Sequence, residues 1–269
     1  MAPSIGSQPQ DAKVADGATT TFSVTASGSS LTYQWQRDGK AIPGATGTSY
    51  TTPVLHMADN GVKYQVVVTG PNASVTSNAV VLTVTPIALS LTAQPQAQTA
   101  RDGEVATFDA AATGSEPIQY QWQRNGVPIA GADNSSYTTS ALALADNAAV
   151  FKVVITNPAG SVSSQEAKLS VTAMAPRVLT DPDSVTTSDG ANVIFKITAA
   201  GSAPLAYQWL RNGSPISGAT DASYATTLTY AGNGDRYSVQ VSNGARQGDQ
   251  RRRCGDRECG GSFHQPASR

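Results

Sequence analysis

The sequence predicts an all-β chain of three tandem antiparallel two-sheet sandwiches, the third lacking its last strand. Two observations carry that expectation. The run Tyr33-Gln34-Trp35-Gln36-Arg37-Asp38-Gly39 returns as Tyr120-Gln121-Trp122-Gln123-Arg124-Asn125-Gly126, and again as Tyr207-Gln208-Trp209-Leu210-Arg211-Asn212-Gly213. The tryptophans lie 87 residues apart each time, too long a period for a solenoid unit and right for a small sandwich with its own core. Short runs in which apolar and polar residues alternate, separated by Gly, Asp and Asn, supply the second observation. The repeats divide the chain into domains 1–86, 87–173 and an incomplete 174–245, followed by a tail, 246–269.

Within the first repeat, Gly17 precedes Thr19–Ala26, an alternating strand with Phe22, Val24 and Ala26 on one face. In Leu31-Thr32-Tyr33-Gln34-Trp35, period two puts Leu31, Tyr33 and Trp35 inside and Gln34 outside. Asp38-Gly39, Asn125-Gly126 and Asn212-Gly213 then supply the positive-φ residues of a tight hairpin. Asp59-Asn60-Gly61 leads into the strand Tyr64–Val68, and Val80, Leu82 and Val84 alternate along the closing strand.

These residues resemble the immunoglobulin fold, specifically the bacterial immunoglobulin-like (I-set-like) tandem repeats of large surface and secreted proteins. The resemblance covers residues 1 to about 244 and implies a buried tryptophan on the third strand: Trp35, Trp122 and Trp209. Its tyrosine-corner position falls on Tyr64, Phe151 and Tyr237, so the second repeat should lack that hydroxyl's hydrogen bond. Its half-cystine positions fall on Val24 with Val66, Ala110 with Val153, and Ile197 with Val239, so apolar pairs replace the inter-sheet disulfide.

Charged residues make up 14% of the chain and the net charge is −1, which leaves no electrostatic case for binding nucleic acid or an anionic membrane. No apolar run reaches membrane-spanning length, so no membrane insertion is expected. The start lacks the basic and apolar regions of a signal peptide. Met1-Ala2-Pro3 matches Met174-Ala175-Pro176, so Met1 reads as an internal residue of a longer protein.

The tail departs from the rest. It holds six of the twelve arginines and both cysteines, where the other repeats have a final strand. Reading the last two bases of each codon with the first of the next permits, from Arg246, a run beginning Gly-Lys-Val-Thr-Ser-Ala-Ala-Ala-Ala-Val-Thr-Val, which matches the strand around Ala167, Leu169 and Val171. A one-base frameshift near codon 246, in the gene or in its sequencing, accounts for the change and makes the tail an out-of-frame, disordered extension. Cys254, Cys259 and His264 lack a fourth ligand and a CxxC spacing, and Arg251-Arg252-Arg253 needs no nucleic-acid explanation.

Little else carries chemistry. Outside the tail the one histidine is His56, near Asp59, and the matching stretches around Leu142 and Tyr230 have none, so a Ser-His-Asp triad is not expected. Asp59 and Asp146 recur at a corner and read as turn-capping groups. Asp181 and Asp183, with Asp189 nearby, are the metal candidates, and solvated loop acids are the simpler reading, so no metal or cofactor is expected. Every domain aromatic except Tyr230 has an aromatic counterpart in another repeat, which argues for core rather than sugar platforms. Sequons at Asn72, Asn134 and Asn212 are common in a Ser-rich chain.

The expected function is a non-catalytic spacer, stalk or adhesion repeat of a larger bacterial protein, extracellular or at the cell surface. Its partner would be an unknown protein or glycan, and the chain a monomer with an association-prone edge in its third repeat. The alternatives are recognition through loops or the exposed face of Gln34, Gln36, Gln121 and Gln123, or an accessory region of a secreted hydrolase.

Overall fold

A computed structural model describes residues 1–243 and, beyond them, the backbone of Cys259–Gly260. The first repeat forms β1 (Ser4–Ser7), β2 (Ala12–Ala15), β3 (Thr21–Ser23), β4 (Thr25–Ser27), β5 (Thr32–Arg37), β6 (Lys40–Ala41), β7 (Ser49–Thr51), β8 (Lys63–Thr69), β9 (Ser74–Thr76) and β10 (Val80–Thr85). One sheet runs β2-β10-β8-β5-β6 with β9 also on β8; facing it are the pairs β1-β4 and β3-β7. The expected strand 19–26 is divided at Val24, because its two halves serve different partners: β3 pairs with β7 and β4 with β1.

The second repeat copies this with β11 (Ser90–Ala93), β12 (Gln98–Arg101), β13 (Thr107–Asp109), β14 (Ala111–Thr113), β15 (Gln119–Arg124), β16 (Val127–Pro128), β17 (Ser136–Thr138), β18 (Val150–Asn157), β19 (Gly160–Ser163) and β20 (Ala167–Thr172). Its main sheet is ordered β12-β20-β18-β15-β16, the same path as in the first repeat. The third repeat has β21 (Arg177–Thr180), β22 (Ala191–Lys196), β23 (Thr198–Ala200), β24 (Leu205–Arg211), β25 (Ser214–Pro215), β26 (Ser223–Leu228) and β27 (Arg236–Asn243), followed by β28 (Cys259–Gly260). These are immunoglobulin-like sandwiches: two antiparallel layers, with the closing strand parallel to an early strand in the first two copies.

The core forms where both layers turn their apolar alternation inward. Trp35, Trp122 and Trp209 are 0% exposed, and each indole N–H donates to a loop carbonyl twelve residues on: Gly47, Asn134 and Asp221, at 3.0, 2.9 and 2.9 Å. Satisfying that donor is what lets a tryptophan be buried completely without a desolvation penalty. Val24 with Val66, Ala110 with Val153, and Ile197 with Val239 are all buried beside them. Tyr64 stacks on Phe22 with centroids 4.8 Å apart, Phe151 on Phe108 at 4.4 Å and Tyr237 on Phe195 at 4.8 Å. Ring stacking is therefore common to all three copies, whether or not the ring carries a hydroxyl.

The hairpins follow from their turn residues. Asp38 and Gly39 have φ of 47° and 77°, Asn125 and Gly126 of 50° and 80°, Asn212 and Gly213 of 50° and 81°. Two consecutive positive φ angles define the type I′ turn, whose twist matches the flanking strands. The first turn residue has a second task. Asp38 Oδ1 accepts the Lys63 N–H, Asn125 Oδ1 that of Val150 and Asn212 Oδ1 that of Arg236, each at 2.9 Å.

The third repeat differs at its closing edge. In the first two copies Val80, Leu82 and Val84, or Ala167, Leu169 and Val171, are buried along β10 or β20. In the third copy β27 pairs with β24 on one edge, and among the described residues its other edge carries β28, with Arg236 opposite Gly260 and Tyr237 opposite Cys259. The remainder of the tail, with the frameshift reading and the Cys254 and His264 side chains, lies outside the described residues.

Candidate functional site

The polar cluster nearest to a catalytic arrangement lies at the corner before β8. There a 3-10 turn, Met57–Asp59, folds back so that Asp59 Oδ2 accepts the His56 N–H at 2.9 Å. Asp59 Oδ1 also accepts from Arg37 Nη2 at 2.6 Å. The His56 N–H, and secondarily the Arg37 guanidinium, hold the Asp59 carboxyl below its ordinary value against the opposing pull of burial. The second copy repeats the corner, with Asp146 Oδ2 accepting the Ala143 N–H at 2.8 Å. In the third copy the corner residue is Gly232, and Asp235 takes over the arginine: Arg211 Nε donates to it at 2.6 Å. Asp59 and Asp146 cap their own turns, whereas Asp235 bonds the side chains of Arg211 and Asn212.

His56 meets an acid but not a nucleophile. Its Nδ1 lies 3.2 Å from Asp16 Oδ1, and its side chain is 69% exposed. The Ser115 hydroxyl beside Asp16 lowers that carboxyl's pKa, burial opposing and His56 adding to the effect. The order is thus serine, acid, histidine. A nucleophilic triad needs the histidine in the middle, taking the hydroxyl proton while the acid orients its far nitrogen. Ser115 is moreover buried and accepts the Ile87 N–H at 2.8 Å, a role in the loop's backbone.

The glutamine face corrects one expectation. Gln34, Gln121 and Gln208 point from strand positions that period two would expose, yet each is half-buried. Each side-chain amide donates to two backbone carbonyls, those of the adjoining tryptophan and of the hairpin's far arm. The pairs are Trp35 and Ile42 at 3.0 and 2.8 Å, Trp122 and Ile129 at 2.9 and 2.8 Å, and Trp209 and Ile216 at 2.9 and 2.8 Å. Gln36 is engaged as well, accepting from Gln65 at 2.6 Å. An amide long enough to fold over its own hairpin thus spends the N–H groups of Gln34, Gln121 and Gln208 on the backbone. The amphipathic pattern carries no sign of this, because the pattern records side-chain direction and not reach.

The metal candidates do not converge. Among the described residues no group of three or more His, Cys, Asp or Glu side chains is gathered as a cation would require. Asp189 Oδ1 accepts the Tyr230 N–H at 2.6 Å, across the loops of the third repeat. Tyr230 itself is 65% exposed, and among the described residues no second ring is exposed with it to form a sugar platform. No described helix is long and apolar enough to cross a membrane.

The corner acids set a pH dependence. Asp59 is depressed below the ordinary 3.8, so its contribution to stability is complete above that value and lost as pH falls through the lower folded value. Asp59→Ala should therefore cost about 1–2 kcal/mol at neutral pH, the worth of a hydrogen bond to a charged group. The gap from the parent chain should close in acid, as the pH falls through the lowered folded value. Urea unfolding at several pH values reads this directly; a gap that persists unchanged in acid would contradict it.

Fold and corner together define a tandem immunoglobulin-like chain whose repeated polar side chains are spent on its own backbone. No family model matches it. Over 180 residues it is 36% identical to Endoglucanase C of Cellulomonas fimi, covering 63% of this chain and 16% of that enzyme. It is 42% identical over 76 residues to the Decoration protein of Escherichia phage T5, covering 27% of this chain and 46% of that protein. Among solved structures, the immunoglobulin domains 1–5 of Sidekick-1 align at a TM-score of 0.44 and 19% identity, over 98% of this chain and 58% of that one. The chain spans only 16% and 3% of the first two curated relatives it matches, the second being a muscle M-line assembly protein of Caenorhabditis elegans.

Proposed function

We propose that the chain is a non-catalytic run of three domains, 1–86, 87–173 and 174–245, that spaces or displays other modules of a larger bacterial protein outside the cell or on its surface. One observation carries this reading: the polar side chains that recur from copy to copy bond to the copy's own backbone. Gln34, Gln121 and Gln208 brace their hairpins, while Asp38, Asn125 and Asn212 tie each hairpin turn to the start of β8, β18 or β27. Recurrence under such duties follows from folding alone and needs no ligand. The likeness to part of a phage Decoration protein supports a presenting role.

A second reading, an accessory region of a secreted hydrolase, is favoured by the likeness to part of Endoglucanase C. Both readings make the chain itself inactive. Screening the full chain against a glycan array and by pull-down should return no saturable ligand if it is a spacer. A micromolar or tighter ligand lost on changing one loop would replace spacing by recognition.

A further inference from the structure

Each joint between successive repeats is pinned at both of its ends. At the end of β10 the Thr85 carbonyl accepts the Asp16 N–H at 3.0 Å, and the Thr85 hydroxyl donates to the Val14 carbonyl at 3.1 Å, both within the first repeat. Two residues on, the second repeat takes hold. The Ile87 N–H donates to the Ser115 hydroxyl at 2.8 Å, while the Ile87 carbonyl accepts the Asn157 side-chain amide at 2.9 Å and the Ser115 N–H at 3.2 Å. Gly114 lets the joint lie this close: at its φ of 158°, a Cβ would meet the Ala88 and Ile87 carbonyl oxygens at 3.2 and 3.3 Å.

The second joint is pinned in the same way. At the end of β20 the Thr172 carbonyl accepts the Asp102 N–H at 2.9 Å, within the second repeat. The Met174 N–H donates to the Ser202 hydroxyl at 2.8 Å, within the third. The Met174 carbonyl accepts the Asn243 side-chain amide at 2.7 Å and the Ser202 N–H at 3.0 Å.

What lies between the pins differs. A peptide group is planar, so an anchored Thr85 carbonyl fixes the plane up to the Pro86 nitrogen, and an anchored Ile87 N–H fixes the plane from the Pro86 carbonyl. Only φ and ψ of Pro86 remain, and the pyrrolidine ring holds φ at about −65°. A single soft torsion is left. In the second joint the same accounting leaves φ and ψ of Ala173, both free within the ordinary allowed regions.

We propose that the two joints are unequal hinges: the first, at Pro86, admits one rotation, and the second, at Ala173, is where the tandem bends. The inference stands on the joints alone and holds whether the chain spaces other modules or binds a ligand. It makes residue 173 the point at which the third repeat is steered.

The test uses the full chain with Cys254→Ser and Cys259→Ser, spin-labelled in pairs at equivalent exposed hairpin positions. Lys40→Cys with Val127→Cys reports on the first joint, and Val127→Cys with Ser214→Cys on the second. Pulsed dipolar spectroscopy reads the width of each distance distribution. The second should be about twofold or more broader than the first, having one more torsion to sample. Ala173→Pro should narrow the second to the width of the first; a proline is compatible with that place, since Pro86 holds it in the first joint. Pro86→Ala should broaden the first. Equal widths in the parent chain, or a width that its own proline exchange leaves unaltered, would overturn the proposal. A loosely folded third repeat cannot imitate the expected result, because its distribution would stay broad after Ala173→Pro, and Pro86→Ala reports on the first two repeats alone.

Discussion

Trp35→Ala should unfold the first repeat, at a cost of about 3–5 kcal/mol, which approaches the whole stability of a small domain. The size of the effect follows from what the indole does. It is fully buried between Phe22 and Tyr50, at centroid distances of 6.4 Å to each, and its N–H holds the Gly47 carbonyl. Alanine would leave a cavity and also strip that carbonyl of its partner. The same substitution at Trp122 should act in the same way on the second repeat, where Phe108 and Tyr137 flank the ring at 6.3 Å. Since Val24 and Val66 fill the positions of an inter-sheet disulfide, reductant should leave the melting temperature of residues 1–174 unchanged. A clear drop on adding reductant, or a mild loss for Trp35→Ala, would show that the core is not organised around these residues.

Restoring the reading frame near codon 246 should convert the third repeat from the weakest to a sound one. Among the described residues its core joins Phe195, Trp209, Val239 and their neighbours, with none from a closing strand. The first repeat gains Val80, Leu82 and Val84 from that strand. Three such side chains are worth roughly 3–7 kcal/mol. Limited proteolysis of the present chain should therefore cut first beyond residue 177, and removal of one base with extension through the restored strand should abolish that sensitivity. Equal resistance of all three repeats in the present chain would argue against the frameshift account.

Much of the fold is legible in the sequence because the repeat presents each signal three times. Tryptophan spacing, Asp-Gly or Asn-Gly turns and period-two alternation all name the same sandwich, and each rests on local chemistry. The features that escape a linear reading depend on reach or on partners distant in sequence. The division at Val24 arises because β3 and β4 pair with different strands. The approach of Ser115 to Asp16 joins residues of different repeats. The glutamines mislead for another reason: Cβ direction places Gln34 outside, whereas its amide folds back onto Ile42.

Those glutamines offer the most direct test of the central claim, that the recurring polar groups serve the fold and not a ligand. Thermal and denaturant unfolding would be measured for Gln34→Ala and Gln121→Ala, singly and together, alongside the ligand screen. Two backbone carbonyls lose their donor in each variant, so each should destabilise its own repeat by about 1–2 kcal/mol, with the double variant additive. Unchanged stability in both variants, accompanied by loss of a saturable ligand, would mean that the face is kept for recognition and would contradict the account.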